Sequence, residues 1–320
     1  MLPKRRARIL SVGTAVPPQI VTNKDLEKVL DTSDEWIVSR TGIKQRHICP
    51  KDNSISASDL GAKAAQAALN RAGIDATHID GIICATFTPD NFFPSTACRI
   101  QDNLGAKGAF AFDISAACAG FVYGLSIANA MIASGRYNRI LLVGAEIISK
   151  TLDWTDRTTC ILFGDAAGAV VLEATDDENT GVLSTYMSSD GSLGKILCLP
   201  AWGESRTMRM NGGEVFKNAV RMMSEAAHNV LKQAGLTLDE VHLMIPHQAN
   251  IRIIKAVAEN IGLPFDRVVC NVERFGNTSS ASIPLALEEA WNQGRVKPGV
   301  NTVFVCLGGG IAIASAVVRF

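Results

Sequence analysis

The chain has 320 residues, with 31 Lys and Arg against 31 Asp and Glu and a formal net charge of zero. That balance supplies neither the basic field that holds a nucleic-acid backbone nor the acidic excess that keeps a chain unfolded. Hydrophobic residues make up 47% and charged residues only 19%, enough for a large core and for some apolar surface covered by a second subunit.

The N-terminal Met1-Leu2-Pro3-Lys4-Arg5-Arg6-Ala7-Arg8 has the charge of a secretory n-region. It runs into the strand-length Ile9-Leu10-Ser11-Val12-Gly13, and not into an apolar segment with a cleavage site. With no run of 18 apolar residues to span a membrane, the expected location is the cytoplasm. The eight cysteines (Cys49, Cys84, Cys98, Cys118, Cys160, Cys198, Cys270, Cys306) show no C-x-x-C spacing, so they read as reduced, largely buried thiols. His47 and Cys49 alone do not make a metal site, and no metal is expected.

Further strands follow as continuous apolar runs at Gly81-Ile82-Ile83-Cys84-Ala85, Phe110-Ala111-Phe112-Asp113, Ile140-Leu141-Leu142-Val143-Gly144 and Ala169-Val170-Val171-Leu172. An amphipathic helix covers Val215 to Ala234, with Phe216, Ala219, Met223, Ala227 and Val230 on one face. Strands resume at Leu243-Met244-Ile245, Val268-Val269-Cys270-Asn271, Thr302-Val303-Phe304-Val305-Cys306 and Ala316-Val317-Val318-Arg319-Phe320. Strands apolar on both faces belong to sheets covered on both sides, so the fold class is α/β. The order also repeats. Leu69-Asn70-Arg71-Ala72-Gly73-Ile74 aligns without gaps on Leu231-Lys232-Gln233-Ala234-Gly235-Leu236, each ending a helix at a left-handed glycine. The strands 110–113 and 268–271 correspond, as do 140–144 and 303–307, with an insertion at roughly Ser149 to Gly164 in the first half. A duplicated half predicts two pseudo-symmetric layers with a site where their matching loops meet. The first spans residues 1–175 and the second 176–320.

Four features on those loops carry chemistry. Cys118, in Ser115-Ala116-Ala117-Cys118-Ala119-Gly120-Phe121, sits between a strand and a helix, where the helix's positive end is expected to lower the thiol pKa. His247, in Pro246-His247-Gln248-Ala249-Asn250, follows a buried strand, where open sheets place ligand groups. The other histidines, His47, His78, His228 and His242, lie in contexts that read as solvated. Asn277, in Gly276-Asn277-Thr278-Ser279, falls near the position of Cys118 in the internal alignment. Gly308-Gly309-Gly310 lacks nucleotide-binding spacing but offers backbone N–H to an oxyanion. Each feature alone also has a plain structural reading: a buried thiol, a hydrogen-bonded histidine, a helix cap and a tight turn.

Together they resemble the β-ketoacyl-acyl carrier protein synthase III family, the initiating condensing enzymes of type II fatty-acid synthesis, across essentially the whole chain. The resemblance also rests on Ser33-Asp34-Glu35-Trp36-Ile37, Arg40-Thr41-Gly42-Ile43 and Phe163-Gly164-Asp165. It implies a thiolase-like, five-layered α-β-α-β-α sandwich in a homodimer, and a covalent two-step reaction. Cys118 would take an acyl group from a short acyl-CoA, acetyl-CoA being the expected primer, with the oxyanion held by the N–H groups of Cys118 and Gly309. Malonyl carried on acyl carrier protein would then lose CO₂, its enolate held by neutral His247 and Asn277. Acyl-CoA is a substrate in this scheme, and no cofactor is expected.

By the same resemblance Trp36 and Arg157 flank the CoA adenine near Arg40, and Gly212, Phe216, Ala249 and Asn250 line a pantetheine tunnel. Asn250 is expected to hold a water or a pantetheine amide near the histidine. Lys217, Arg221, Arg252 and Lys255 form a basic rim for the acidic carrier, although Glu259 and Asn260 stand where further Lys would suit it. Phe93 closes the acyl pocket of the partner subunit. Gly310-Ile311-Ala312-Ile313-Ala314 replaces an aromatic-containing segment near the site. Competing expectations are a related enzyme of secondary metabolism using another primer, a non-condensing subunit of the same fold, and a cysteine hydrolase.

Overall fold

A computed structural model describes residues 5–203 and 205–320, so Met1–Lys4 of the basic N-terminus lie outside the described residues. In chain order the first part forms β1 (Arg6–Ala15), β2 (Gln19–Thr22), α1 (Asn23–Glu27), α2 (Asp34–Thr41), β3 (Gln45–Ile48) and α3 (Ala57–Ala72). It continues with β4 (Gly81–Ala85), α4 (Thr96–Leu104), β5 (Phe110–Ile114), α5 (Gly120–Ala133), β6 (Arg139–Glu146) and β7 (Ala166–Thr175). The second part forms β8 (Gly181–Ser189), β9 (Leu197–Cys198), β10 (Arg209–Met210), α6 (Gly212–Ala234), β11 (Leu243–Pro246) and α7 (Ile251–Ile261). It ends with α8 (Val272–Phe275), α9 (Ser282–Asn292), β12 (Asn301–Gly308) and β13 (Ala312–Arg319).

The apolar runs become the strands of two sheets with one topology. The first has the order β1-β7-β6-β4-β5 and the second β8-β13-β12-β11, each with two antiparallel pairings followed by parallel pairing, two pairs in the first sheet and one in the second. The expected strand at 268–271 is not formed; one bridge between Met244 and Val268 stands in its place. The reason is local. The side chain of Gln248 donates to the Val269 carbonyl and accepts from the Asn271 N–H, taking the groups a strand ladder would use.

Burial stacks the sheets. α3 and α4 cover the outer face of the first sheet, and α6 and α7 the outer face of the second. Between the sheets, α5 and α9 supply Phe121, Leu125, Ile283 and Leu287 to a shared core with Leu142, Val170, Phe304 and Ala316. The result is five layers, α-β-α-β-α. The repeated helix ends behave as expected, since Gly73 and Gly235 take φ of +66° and +68° and cap α3 and α6. Because the halves share a topology and face each other across α5 and α9, the loops after equivalent strands meet at one end of the sandwich.

Candidate active site

Between β5 and α5 the residues Ala117–Ala119 make a single tight turn. Ala117 holds φ +47°, a left-handed conformation that costs a residue with a Cβ about 1–2 kcal/mol. The turn is braced by the end of β12, where a Cβ on Gly308 would fall 2.5 Å from the Ala116 carbonyl and 2.9 Å from the Cys118 nitrogen. Only glycine lets the two backbones meet so closely. Gly309 follows and lines, with Cys118, Phe87, Leu199 and Met208, an apolar cavity of about 240 Å³.

Cys118 is 7% exposed. Its thiol does not follow the expectation of a lowered pKa. Burial pushes it up to about 12, a hydrogen bond from Ser279 opposes this, and the carboxylate of Glu146 adds to it. Desolvation of the anion is the largest influence on the thiol.

His247 lies just beyond β11, its N–H bonded to the Val305 carbonyl at 2.8 Å. Its Nδ1 is 2.7 Å from the Ser282 hydroxyl. With Ser282 donating to Nδ1, Nε2 carries the ring hydrogen and is a donor. Burial lowers the imidazole to about 3, which keeps it neutral. Asn277 is fixed from several sides. Its Oδ1 accepts from the Ser279 N–H at 2.9 Å, its own N–H donates to the Leu162 carbonyl at 2.8 Å, and its carbonyl accepts from the Gly164 N–H at 3.0 Å. A Cβ on Gly164 would sit 2.4 Å from the Phe275 carbonyl, so the Phe163-Gly164 and Gly276-Asn277 segments interlock. The amide is thereby oriented with Nδ2 available as a donor.

Cys118, His247 and Asn277 line one cavity of about 440 Å³, together with the predicted Arg40, Gly212, Phe216, Ala249, Asn250 and Arg252. Arg40 brings α2 to this cavity; Ser33 caps that helix by accepting from the Trp36 N–H, and Trp36, one turn before Arg40, does not itself line the cavity, nor does Arg157. The Arg157 guanidinium lies 5.3 Å from the centre of the Trp36 ring, and Arg252 lies 5.6 Å from that of Phe216. Asn250 also has structural partners: its Nδ2 donates to the Arg40 carbonyl and its Oδ1 accepts from the Arg252 N–H. Both ends of the amide are engaged in capping α7 and anchoring the Arg40 segment.

Lys217 and Arg221 on α6, and Arg252 and Lys255 on α7, are exposed. Arg221 pairs with Glu225 at 3.2 Å and Lys255 lies over Phe265. Phe93 is 86% exposed, outside both cavities that contain Cys118. His78, His228 and His242 are exposed, but His47 is half-buried in β3, bonded to the Pro17 carbonyl and stacked on Phe275. All eight cysteines are free.

Sequence reasoning missed the groups that hold these side chains in place. Ser282 holds the His247 ring at Nδ1, Gln248 replaces a strand, and Glu146 ends β6 directly behind Ser279. The available signal for Glu146 was a carboxylate closing an otherwise apolar strand.

The cavity brings together a buried sulfur, able to form a covalent bond, a neutral imidazole and a side-chain amide. On paired sheets of one topology, that places the chain in the class of thiolase-like condensing acyltransferases. Residues 112–191 match 3-Oxoacyl-[acyl-carrier-protein (ACP)] synthase III, and residues 231–320 match the C-terminal part of the same family. The chain is 49% identical to Beta-ketoacyl-[acyl-carrier-protein] synthase III of Methylococcus capsulatus, over 99% of each chain. Among solved structures, 3-oxoacyl-[acyl-carrier-protein] synthase III from Aquifex aeolicus VF5 superposes with a TM-score of 0.94 at 46% identity, covering 98% of this chain and 100% of that one. The corresponding structure from Pseudomonas aeruginosa PAO1 gives 0.94 at 43% identity, covering 98% of each. The chain belongs to the 3-oxoacyl-[acyl-carrier-protein] synthase III family, condensing enzymes that initiate fatty-acid synthesis.

Proposed function

We propose that the chain condenses a short acyl-CoA, acetyl-CoA first among them, with malonyl-acyl carrier protein, releasing CoA, CO₂ and 3-oxoacyl carrier protein. The observation that carries this reading is the single cavity shared by Cys118, His247 and Asn277. In the first half-reaction the Cys118 sulfur bonds to the thioester carbonyl and the carbon–sulfur bond to CoA breaks. The N–H groups of Cys118 and Gly309 are the donors assigned to the oxyanion. In the second, malonyl loses CO₂ and its enolate oxygen accepts from His247 Nε2 and Asn277 Nδ2. The enolate carbon then attacks the acyl carbonyl and expels the Cys118 sulfur. The residues 1–175 bring the nucleophile and 176–320 bring the enolate donors.

Trp36 and Arg157 are assigned to the adenine of CoA and Arg40 to its phosphates, because a guanidinium stacked on an indole presents charge and a flat face together. Gly212, Phe216 and Ala249 are assigned to the pantetheine, with Asn250 holding Arg40 in place. Lys217, Arg221, Arg252 and Lys255 are assigned to the acidic carrier. The cavity beside Gly309 suits a small, apolar acyl group. A homodimer is favoured by the exposed Phe92, Phe93 and Trp202, with Phe92 stacked on Trp202 at 5.4 Å. In it Phe93 would close the partner's acyl pocket. The donors in these steps all come from the chain, and no cofactor is assigned beyond the substrates. Among the described residues no helix is long and apolar enough to cross a membrane, and a cytoplasmic location is proposed.

The test is stepwise. Incubation with acetyl-CoA should add one acetyl group to the Cys118 peptide by mass, and malonyl-acyl carrier protein should then discharge it as 3-oxobutyryl carrier protein. Release of free acetate would identify a hydrolase instead. Product formed without dependence on a fatty-acid carrier protein would identify an enzyme of secondary metabolism.

A further inference from the structure

We propose that Glu146 is a positioning residue for the condensation step, tethering the turn that carries Asn277 to the first sheet through the Ser279 hydroxyl. The inference rests on the enolate-donor role assigned to Asn277 above. Glu146 is the last residue of β6 and is fully buried. Its Oε2 is anchored within the first half, accepting from the Thr88 and Thr86 hydroxyls at 2.8 and 3.2 Å and from the Phe87 N–H at 3.2 Å. Its Oε1 faces the second half and accepts from the Ser279 hydroxyl at 3.1 Å. Ser279 in turn donates its N–H to Asn277 Oδ1 at 2.9 Å. Carboxyl, serine and amide are thus joined by two hydrogen bonds, each with its own hydrogen.

The turn has need of a tether. Ser279 holds φ +52°, a left-handed conformation that a residue with a Cβ keeps only where its surroundings fix it. A Cβ on Gly144 of β6 would lie 2.5 Å from the Ser280 carbonyl, so the turn rests directly on the β6 backbone two residues before Glu146. Apolar packing would not select a carboxyl here, since burying a charge without a counter-ion is costly. The partners of Glu146 are hydroxyls and one N–H, with no cation among them. A leucine would fill the space; what the carboxyl adds is acceptors facing both halves. Burial raises it to about 7, so both of its forms occur at neutral pH. The Ser280 hydroxyl lies 3.0 Å from Oε1 and 2.9 Å from the Ala85 carbonyl, with one hydrogen to give. A carboxylate can take that hydrogen. An acid with its proton on Oε1 donates to Ser280 instead, which then donates to Ala85. Ser279 bonds to Oε1 in both forms, so the tether does not depend on titration.

The experiment is a double-mutant cycle between Glu146 and Asn277, read in single turnover from enzyme already acetylated at Cys118. Glu146→Leu removes the tether and should slow condensation with malonyl-acyl carrier protein, by no more than the factor of about 100 that the Asn277 donor itself supplies. Ser279→Ala keeps the N–H and loses only the hydroxyl; it should act in the same direction, and it serves if Glu146→Leu does not fold. In the Asn277→Ala background neither change should slow condensation further, because the amide they position is gone. A residue needed only for folding would add its loss in both backgrounds. Glu146→Gln should recover most of the rate, since its carbonyl can face Phe87 while its NH₂ donates to the Ser279 oxygen. Acetylation of Cys118 should fall less than condensation in each variant. The proposal is overturned by losses that persist in full in the Asn277→Ala background, by equal losses in both half-reactions, by a glutamine variant as slow as the leucine, or by wild-type condensation in Ser279→Ala. The same cycle read as urea midpoints needs no substrate. Non-additive shifts there, in a wild type that makes no 3-oxobutyryl carrier protein, would refute the proposed function instead, and additive shifts would overturn the tether.

Discussion

Replacing Asn277 tests the division of labour between the two half-reactions. In Asn277→Ala the enolate loses one of two preorganised donors, and a donor of this kind is typically worth about 3 kcal/mol, or a factor of about 100 in rate. A second loss is structural, because the Ser279 N–H now has no acceptor; an unpaired buried N–H costs roughly 1–3 kcal/mol of stability. Asn277→Asp separates the two, keeping an Oδ1 for Ser279 while replacing the Nδ2 donor by an acceptor. Both variants should therefore condense about 100-fold more slowly. Only the alanine should show a clear drop in melting temperature from the lost bond. Acetylation of Cys118 from acetyl-CoA should stay within a few-fold of wild type in both, since Asn277 makes no contact assigned to that oxyanion. The assay measures CO₂ release and 3-oxoacyl carrier protein in single turnover from pre-acylated enzyme, against the rate of acyl-Cys118 formation. Wild-type condensation by Asn277→Asp would refute the donor role, and equal loss in both half-reactions would reduce Asn277 to a structural brace.

The raised Glu146 carboxyl predicts a pH-dependent stability. The folded protein takes up a proton between the ordinary value of 4.5 and about 7 that the unfolded chain does not, so this stabilisation is full below 4.5 and lost as pH rises through 7. Glu146→Gln cannot show it, and the stability difference between wild type and variant in urea should shift by about 3 kcal/mol in favour of the variant from pH 4.5 to 8; a constant difference would exclude the shift. His247 acts in the opposite sense: its pKa lies near 3, against an ordinary 6.5, so both proteins should lose stability as pH falls through that interval, and a His247→Gln variant should lose less. Gly308→Ala drives a Cβ into the nucleophile turn and should lower the melting temperature by an amount corresponding to about 1–3 kcal/mol, with slowed acylation of Cys118; normal acylation would show that the turn can yield. Arg157→Ala removes the guanidinium over Trp36 and should raise KM for acetyl-CoA up to about tenfold, leaving acetylation from a short acyl-pantetheine unchanged; equal losses with both donors would exclude an adenine contact.

What the sequence made legible followed from local periodicity and backbone constraint. The continuous apolar runs marked strands such as β6 and β12, and Gly73 and Gly235 marked helix ends, because each is decided within a few residues. Cys118, His247 and Asn277 stood out by position on those loops. The segment at Val268–Asn271 was misread because its hydrogen bonds are taken by Gln248, remote in sequence and indistinguishable from a solvent-facing amide without the fold. The thiol of Cys118 was misread for a related reason. A helix start is visible in the sequence, whereas the depth of burial and the carboxylate of Glu146 arrive from other strands. The bond from Asn250 to the Arg40 carbonyl was not legible because the two lie 210 positions apart.

These departures share one cause, and it bears on how the site works. Desolvation raises the Cys118 thiol, lowers the His247 imidazole and raises the Glu146 carboxyl, so the dry centre of the sandwich resists holding charge on any of them. A reaction that makes two successive anions, an oxyanion on the thioester and an enolate after CO₂ loss, gains from that resistance. Neutral donors in a low-dielectric cavity bind a developing anion more strongly than they would in water and are not neutralised by it beforehand. A permanent cation at His247 would bind the malonyl carboxylate itself and oppose its departure as CO₂. A permanent thiolate at Cys118 would repel both the enolate and that carboxylate. The thiol, imidazole and carboxyl at the centre are all pushed towards their neutral forms, while Arg40 and Arg252 line the cavity and Lys217, Arg221 and Lys255 are exposed on α6 and α7, where anionic substrates would arrive.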